Sequence, residues 1–229
     1  MNNSVAVIAA HADDEVLGCG GSIARFISQG RHVHVLILGD GVSSRNESKT
    51  EKNLGELAAR NVAAEAANEI LGSTSLTLLA LPDNRMDSLD LLDVVKIIES
   101  FLDKHQPSTV LTHHAGDVNI DHRVVHDAVI AACRPLPGSC VRELLFFEVA
   151  SSTEWRPPAS ALMFSPNFFI NISAHMDTKL RALAAYKEEL RAFPHPRSLQ
   201  AITSLAQWRG ASIGVDAAEA FVLGRKIVS

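Results

Sequence analysis

The stretch Val5-Ala6-Val7-Ile8-Ala9-Ala10-His11-Ala12-Asp13-Asp14-Glu15 decides how the chain reads. Its first six residues are apolar without alternation, as in a strand buried on both faces of a sheet. The run then breaks abruptly into ionisable side chains. Residues 16–29 carry helical spacing behind Gly18, Gly20 and Gly21, and Gly30 supplies a stop. Strand, polar corner and helix in this order open a βαβ unit.

The same alternation continues outward. Strands are expected at 32–38, 76–81, 109–112 and 141–149, and helices at 50–71, 88–105 and 121–133. Gly72 closes the long alanine-rich helix and Pro82 stops the third strand. Strand–helix–strand order repeated this often implies an α/β, Rossmann-like fold: a mostly parallel sheet flanked by helices. The last third is less regular, with a strand at 168–172, a helix at 175–191, a proline-bounded loop at 193–197 and a helix at 198–210. No repeat or low-complexity linker interrupts the 229 residues, so they read as a single domain with a C-terminal elaboration.

Composition narrows the function. Hydrophobic residues make up 47% and charged residues 21%, and the net charge of -5 gives no footprint for nucleic acid or an anionic membrane. No apolar run approaches the roughly 20 residues needed to insert across a bilayer. The apolar N-terminal run lacks a basic flank and has the length of a strand, unlike a signal peptide. Three sparse cysteines, Cys19, Cys133 and Cys140, do not suggest a disulfide framework, which makes a reducing cytoplasm the expected compartment.

In open parallel sheets, ligands bind beyond the carboxyl ends of the strands. The first strand ends in His11–Glu15, and the fourth runs into His113-His114-Ala115-Gly116-Asp117-Val118-Asn119-Ile120-Asp121-His122. Both polar clusters therefore fall on one sheet edge. A hydrolytic zinc takes three nitrogen or oxygen ligands and keeps one position for water. His11 and Asp14, three apart, point the same way if the strand end bends into a helical turn. Asp13 then diverges from them and faces the water. The third ligand is sought in the second cluster. His122 at the helix start is preferred to His126, which lies a turn deeper and faces the packing. Two imidazoles favour Zn2+ over magnesium. Asp13 and Asp14 could instead merely cap a helix. The Gly-Cys-Gly-Gly turn matches a dinucleotide fingerprint poorly and is read as allowing close packing.

Ala10-His11-Ala12-Asp13-Asp14-Glu15-Val16-Leu17-Gly18-Cys19-Gly20-Gly21, followed by Gly116-Asp117-Val118-Asn119-Ile120-Asp121-His122, resembles the LmbE/PIG-L family of zinc N-deacetylases. The likeness spans about the first 135 residues. It implies de-N-acylation of an amino sugar or its conjugate, with His11, Asp14 and His122 as metal ligands and Asp13 as general base. The sequence departs from the family pattern in two places. Ala12 stands where the first motif usually has proline, and Asn119 stands where many members place a histidine that assists the intermediate or the leaving amine. The acid or oxyanion role is then open. Relatives with this pattern point to a histidine from a C-terminal segment, in the same or a neighbouring subunit. His195 in Phe193-Pro194-His195-Pro196-Arg197 is the candidate, with His114 next and Asn119 a further donor.

Arg85 after the third strand, Arg197, and Arg45 in the polar loop 43–50 are candidate substrate contacts, because an arginine fork suits sugar hydroxyls or phosphate; Arg123 is a further one. His114 could share that task. The expected partner is a small N-acylated amino sugar, free or nucleotide-linked. Trp155, Pro157, Pro158 and the apolar stretch 164–169 mark a region that could join copies into a homo-oligomer or fold over the core. Two other readings remain: an amidase for a non-sugar N-acyl metabolite, and a non-catalytic Rossmann-like protein that holds an anion.

Overall fold

The computed structural model describes residues 3–41, 51–158 and 162–228. Five parallel strands are β1 (Ser4–Ala9), β2 (His32–Gly39), β3 (Ser75–Leu81), β4 (Thr109–His113) and β5 (Glu143–Phe147). Two more, β6 (Phe168–Asn171) and β7 (Ala218–Lys226), add antiparallel to the β5 edge, giving the order β3-β2-β1-β4-β5-β7-β6. The helices are α1 (Asp14–Ser28), α2 (Glu51–Leu71), α3 (Leu91–His105), α4 (Ile120–Ala132), α5 (Met176–Ala185) and α6 (Leu199–Ala211).

The sheet divides the core. Because strand side chains alternate, Val5, Val7 and Ala9 pack on one face with α1, α2 and α5, while Ala6, Ile8 and Ala10 pack on the other with α3 and α4. Both faces of β1 are covered, which is why its sequence is uniformly apolar. Strand order turns back between β1 and β4, so a crevice opens beyond their carboxyl ends. His11 and the 113–122 segment meet there.

Several boundaries differ from the sequence reading. The first helix starts at Asp14 and kinks at Cys19 (φ -149, ψ 22). Beyond the kink it restarts, and the free amides of Gly21 and Ser22 donate to the Glu219 carboxylate at 2.9 and 2.7 Å. Glu219 also pairs with buried Lys179 at 2.6 Å. Gly18 is required by packing, since a Cβ there would lie 2.3 Å from the Phe147 ring. The helix expected over 175–191 ends at Ala185, because Tyr186 leaves helical geometry (φ -87, ψ 52) and turns its hydroxyl to Glu15 at 2.6 Å. The α3 helix begins at Leu91 behind Asp90, whose side chain accepts from the Leu92 amide at 2.9 Å. No strand was expected where β7 lies. Its Ala-Glu-Ala start favours helix, and only pairing between β5 and β6 makes it a strand.

The three cysteines are free thiols. Among the described residues, no helix is long and apolar enough to cross a membrane.

Candidate metal centre

The chain leaves β1 at Ala9, and the His11 amide donates to Asp14 Oδ2 at 2.9 Å, which bends the strand end into the first turn of α1. That bend puts the His11 and Asp14 side chains together, with Nδ1 and Oδ2 3.3 Å apart. Gly39, at the end of β2, permits the corner, since a Cβ there would sit 2.9 Å from the Ala10 carbonyl. From the other side, α4 delivers His122, whose Nε2 lies 3.2 Å from Asp14 Oδ2. One ligand atom from each of His11, Asp14 and His122 lies within 4.8 Å of the other two, and all three residues are buried.

The polar atoms of this pocket are incompletely satisfied. Asp14 Oδ1 is buried with no hydrogen-bond partner, and His122 Nε2 has only its 3.2 Å approach to Asp14 Oδ2. An unsatisfied buried polar atom costs about 1–3 kcal/mol, and a charged one more. A divalent cation held by one atom each of His11, Asp14 and His122 would neutralise this cluster, and the residues fit zinc by donor type and number. The electrostatics agree. Burial pushes the Asp14 carboxyl up, but His122 and His11 hold it well below the usual range. Burial lowers His122, yet Asp14 and Asp117 raise it to about 9. Carboxylates that make an imidazole grip a proton also make it a strong donor to a metal.

Each imidazole is oriented from behind. His11 Nε2 meets Asp121 Oδ2 at 2.9 Å and Asp83 Oδ1 at 3.1 Å. Asp121 is itself fixed by the backbone amides of Asn84 (2.6 Å) and Met86 (2.9 Å). His122 Nδ1 meets Asp117 Oδ2 at 3.1 Å, and Asp117 accepts hydrogen bonds from Ser152 Oγ and from Thr153 Oγ1 (2.7 Å). Although burial raises the Asp117 carboxyl, His122 and these hydroxyls bring it down to about 2. His113 stacks on His122 at 4.0 Å between centroids and accepts from the Ala10 amide, and burial keeps it neutral. His126 packs away from the centre, as the sequence suggested, with Nδ1 on the His113 carbonyl.

Asp13 stands beside the pocket in an unusual backbone state, φ 105 and ψ -27. A non-glycine residue holds such geometry only when its surroundings over-determine it. Three contacts do so. Its amide donates to Glu15 Oε2 (3.1 Å), its carbonyl accepts from the Leu17 amide (2.8 Å), and its Oδ2 accepts from Arg197 Nη1 (2.8 Å). Burial lifts the Asp13 carboxyl to about 7 against the pull of Arg197. Glu15, held by Tyr186 and by Asn68 Nδ2 (3.1 Å), is lifted by burial to about 7.

The remaining sequence candidates are dispersed around this nucleus. Arg197 bridges Asp13, Ser151 and Glu189 instead of lying free at a rim. His195 shares its loop, accepts the Arg197 amide at Nδ1 (3.0 Å), and meets the Trp155 ring edge-on at 5.9 Å. Asn119 caps α4, accepting from the Asp121 amide and donating to Asn84 Oδ1. The His114 Nε2 lies 3.1 Å from the Leu162 carbonyl. Arg123 is tied to the Asp117 and Val118 carbonyls. Arg85 is exposed next to Asn84. Arg45 and the polar loop 43–50 fall outside the described residues. Sequence reasoning missed Asp83, Asp117, Asp121 and the Ser151-Ser152-Thr153 run as supports. The available signal was that Asp83, Asp117 and Asp121 all follow strands at the edge where His11 lies.

The sequence model for GlcNAc-PI de-N-acetylase, PIG-L, matches residues 6–133. The "Uncharacterized deacetylase YaiS" of Escherichia coli K12 is 29% identical over 189 residues, covering 80% of this chain and 90% of that protein. A "Probable N-acetyl-alpha-D-glucosaminyl L-malate deacetylase 2" of Bacillus cereus is 28% identical over 195 residues, covering 84% and 86%. Among solved structures, GalB, the 4-carboxy-2-hydroxymuconate hydratase of Pseudomonas putida KT2440, superposes with a TM-score of 0.78 at 23% identity, covering 99% of this chain and 98% of that one. That last likeness speaks for the fold alone, and a fold does not choose a reaction. The matched span includes both polar clusters of the centre, and the chain belongs to the PIG-L family. It is accordingly a deacetylase, an amide hydrolase.

Proposed function

We propose that this chain removes an N-acetyl or related acyl group from the nitrogen of an amino sugar or its conjugate, using zinc held by His11, Asp14 and His122. The observation that carries this reading is the buried convergence of one ligand atom each from His11, Asp14 and His122, with Asp14 Oδ1 left without a hydrogen-bond partner and a separately held carboxylate, Asp13, beside it. A bound zinc ion would supply Lewis acidity toward the acyl carbonyl and make a water acidic near neutral pH.

The chain's own residues do the rest. Asp13 is the general base. Arg197 occupies its Oδ2, so proton transfer falls to Oδ1, which takes a proton from the attacking water and returns it to the departing nitrogen. Arg197 therefore acts on Asp13 more than on substrate. His195 is the candidate donor to the carbonyl oxygen. Its Nδ1 accepts the Arg197 amide, which leaves the proton on Nε2. Asn119 ranks behind it, with its oxygen and one amide hydrogen committed to Asp121 and Asn84. Exposed Arg85, and His114 beside the strand end, are the proposed contacts for the conjugated part of the substrate. An anionic conjugate suits Arg85, and the malate in the name of the Bacillus cereus relative is one such group.

The deciding experiment is product detection by mass spectrometry over a panel of N-acetylhexosamines, free, malate-linked and nucleotide-linked. Zinc-loaded protein should release acetate and free amine from at least one member, and a chelator should stop it. A zinc-loaded preparation that turns over non-sugar N-acetyl compounds and no sugar would overturn the substrate class.

A further inference from the structure

The loop after β5 brings three hydroxyl side chains in succession, Ser151, Ser152 and Thr153, to the edge of the centre. They divide between its two halves. Ser152 Oγ donates to Asp117 Oδ1 and Thr153 Oγ1 donates to Asp117 Oδ2 at 2.7 Å, and that carboxylate faces His122 Nδ1. Ser151 Oγ instead accepts from Arg197 Nε at 2.7 Å, and the same guanidinium reaches Asp13. One run of three residues thus touches the supports of a metal ligand and of the base.

The hydroxyls are not free rotors. Thr153 Oγ1 accepts the Val149 amide at 2.8 Å, so its proton is directed to Asp117. Ser152 and Thr153 are buried, at 4% and 7% exposure, where a misdirected hydroxyl would go unsatisfied. The backbone is equally committed. Ser151 holds φ 67, a left-handed state that a residue with a Cβ adopts at a cost. Glu154 ties it down, accepting from the Ser151 and Ser152 amides at 2.7 and 3.2 Å. A strained turn fixed from both sides presents its side chains in one geometry.

The geometry points to residues 151–153 as a positioning segment with two separable outputs. Ser152 and Thr153, through Asp117, set the ring orientation and tautomer of His122 and so the affinity for metal. Ser151, through Arg197, sets the Asp13 carboxylate and so the rate of proton transfer. The names of these roles rest on the proposed deacetylase reading, but the metal arm can be read without any substrate.

The test compares Ser152→Ala/Thr153→Val with Ser151→Ala. Zinc affinity is measured by competition with a chromophoric chelator, and kcat and KM on whichever N-acetyl substrate the panel yields. The double variant should bind zinc about ten- to a hundredfold more weakly, and Thr153→Ser should retain wild-type affinity. Ser151→Ala should keep zinc affinity within about twofold while kcat falls about ten- to a hundredfold at little change in KM. If the double variant melts below assay temperature, Thr153→Val alone, equal in shape, carries the same reading. Unchanged zinc affinity in the valine variant overturns the metal arm. Equal loss of zinc affinity in Ser151→Ala overturns the separation. Unaltered kcat there overturns the base arm. Wild-type protein that binds zinc but hydrolyses no N-acetyl compound sinks the deacetylase reading, while the zinc titrations still decide the Asp117 arm.

Discussion

The two imidazoles of the centre, His11 and His122, are supported in different ways. His11 faces two carboxylates, Asp121 and Asp83, and Asp121 is held by main-chain amides at the start of the turn 84–88. His122 faces one carboxylate, Asp117, held largely by side-chain hydroxyls from a loop. The first support is redundant and anchored in backbone. The second offers His122 Nδ1 a single carboxylate, with only the Ser152 hydroxyl 3.5 Å away beside it, and depends on rotatable groups. The side built from backbone should tolerate loss of one partner, and the side built from hydroxyls should not.

Removing a ligand outright abolishes the comparison and should have the largest effect. Asp14→Ala should reduce bound zinc from about one equivalent to background and eliminate turnover; full metal content by elemental analysis would refute the ligand assignment. Next comes the group outside both supports. Asp13→Asn should retain zinc and lose about two to four orders of magnitude in kcat. Near wild-type turnover in a metal-loaded sample would take Asp13 out of the base role. The comparison itself is then tested by Asp117→Asn against Asp83→Asn. The first should weaken zinc binding about ten- to a hundredfold and the second several-fold less, because Asp121 still faces His11. Equal losses in a chelator competition would show that redundancy does not matter here. The smallest effect is expected at the loop histidine. His195→Ala should slow kcat about tenfold with zinc unchanged, and unaltered kinetics would hand the donor role to Asn119 or His114.

The sequence made the parallel half of the fold legible because short apolar runs alternate with helical stretches from β1 to β5, punctuated by stops such as Gly30, Gly72 and Pro82. The strand ends and the two polar clusters followed from that, and the structure brings His11, Asp13, Asp14 and His122 together at one corner. What stayed hidden depends on distant partners. The β7 strand begins with helix-favouring residues and becomes a strand only by filling the gap beside β5. The α5 helix stops early because Tyr186 has a buried carboxylate to reach. Asp117 looks like any turn aspartate until the 151–153 hydroxyls arrive from the loop after β5. Arg197 reads as a candidate substrate contact until Asp13 meets it across 184 positions of chain. Spacing reveals groups that act within one turn, but not groups recruited by tertiary approach.

The cap that Glu219 places on the kinked first helix has a consequence for biosynthesis. The first polar motif is translated well before β7, yet the amides of Gly21 and Ser22 wait for a carboxylate 197 to 198 residues further on. A nascent chain still lacking β7 would carry that helix with its second half unanchored. Maturation of the ion-binding corner should therefore come late, after the ribosome has released the segment that threads between β5 and β6.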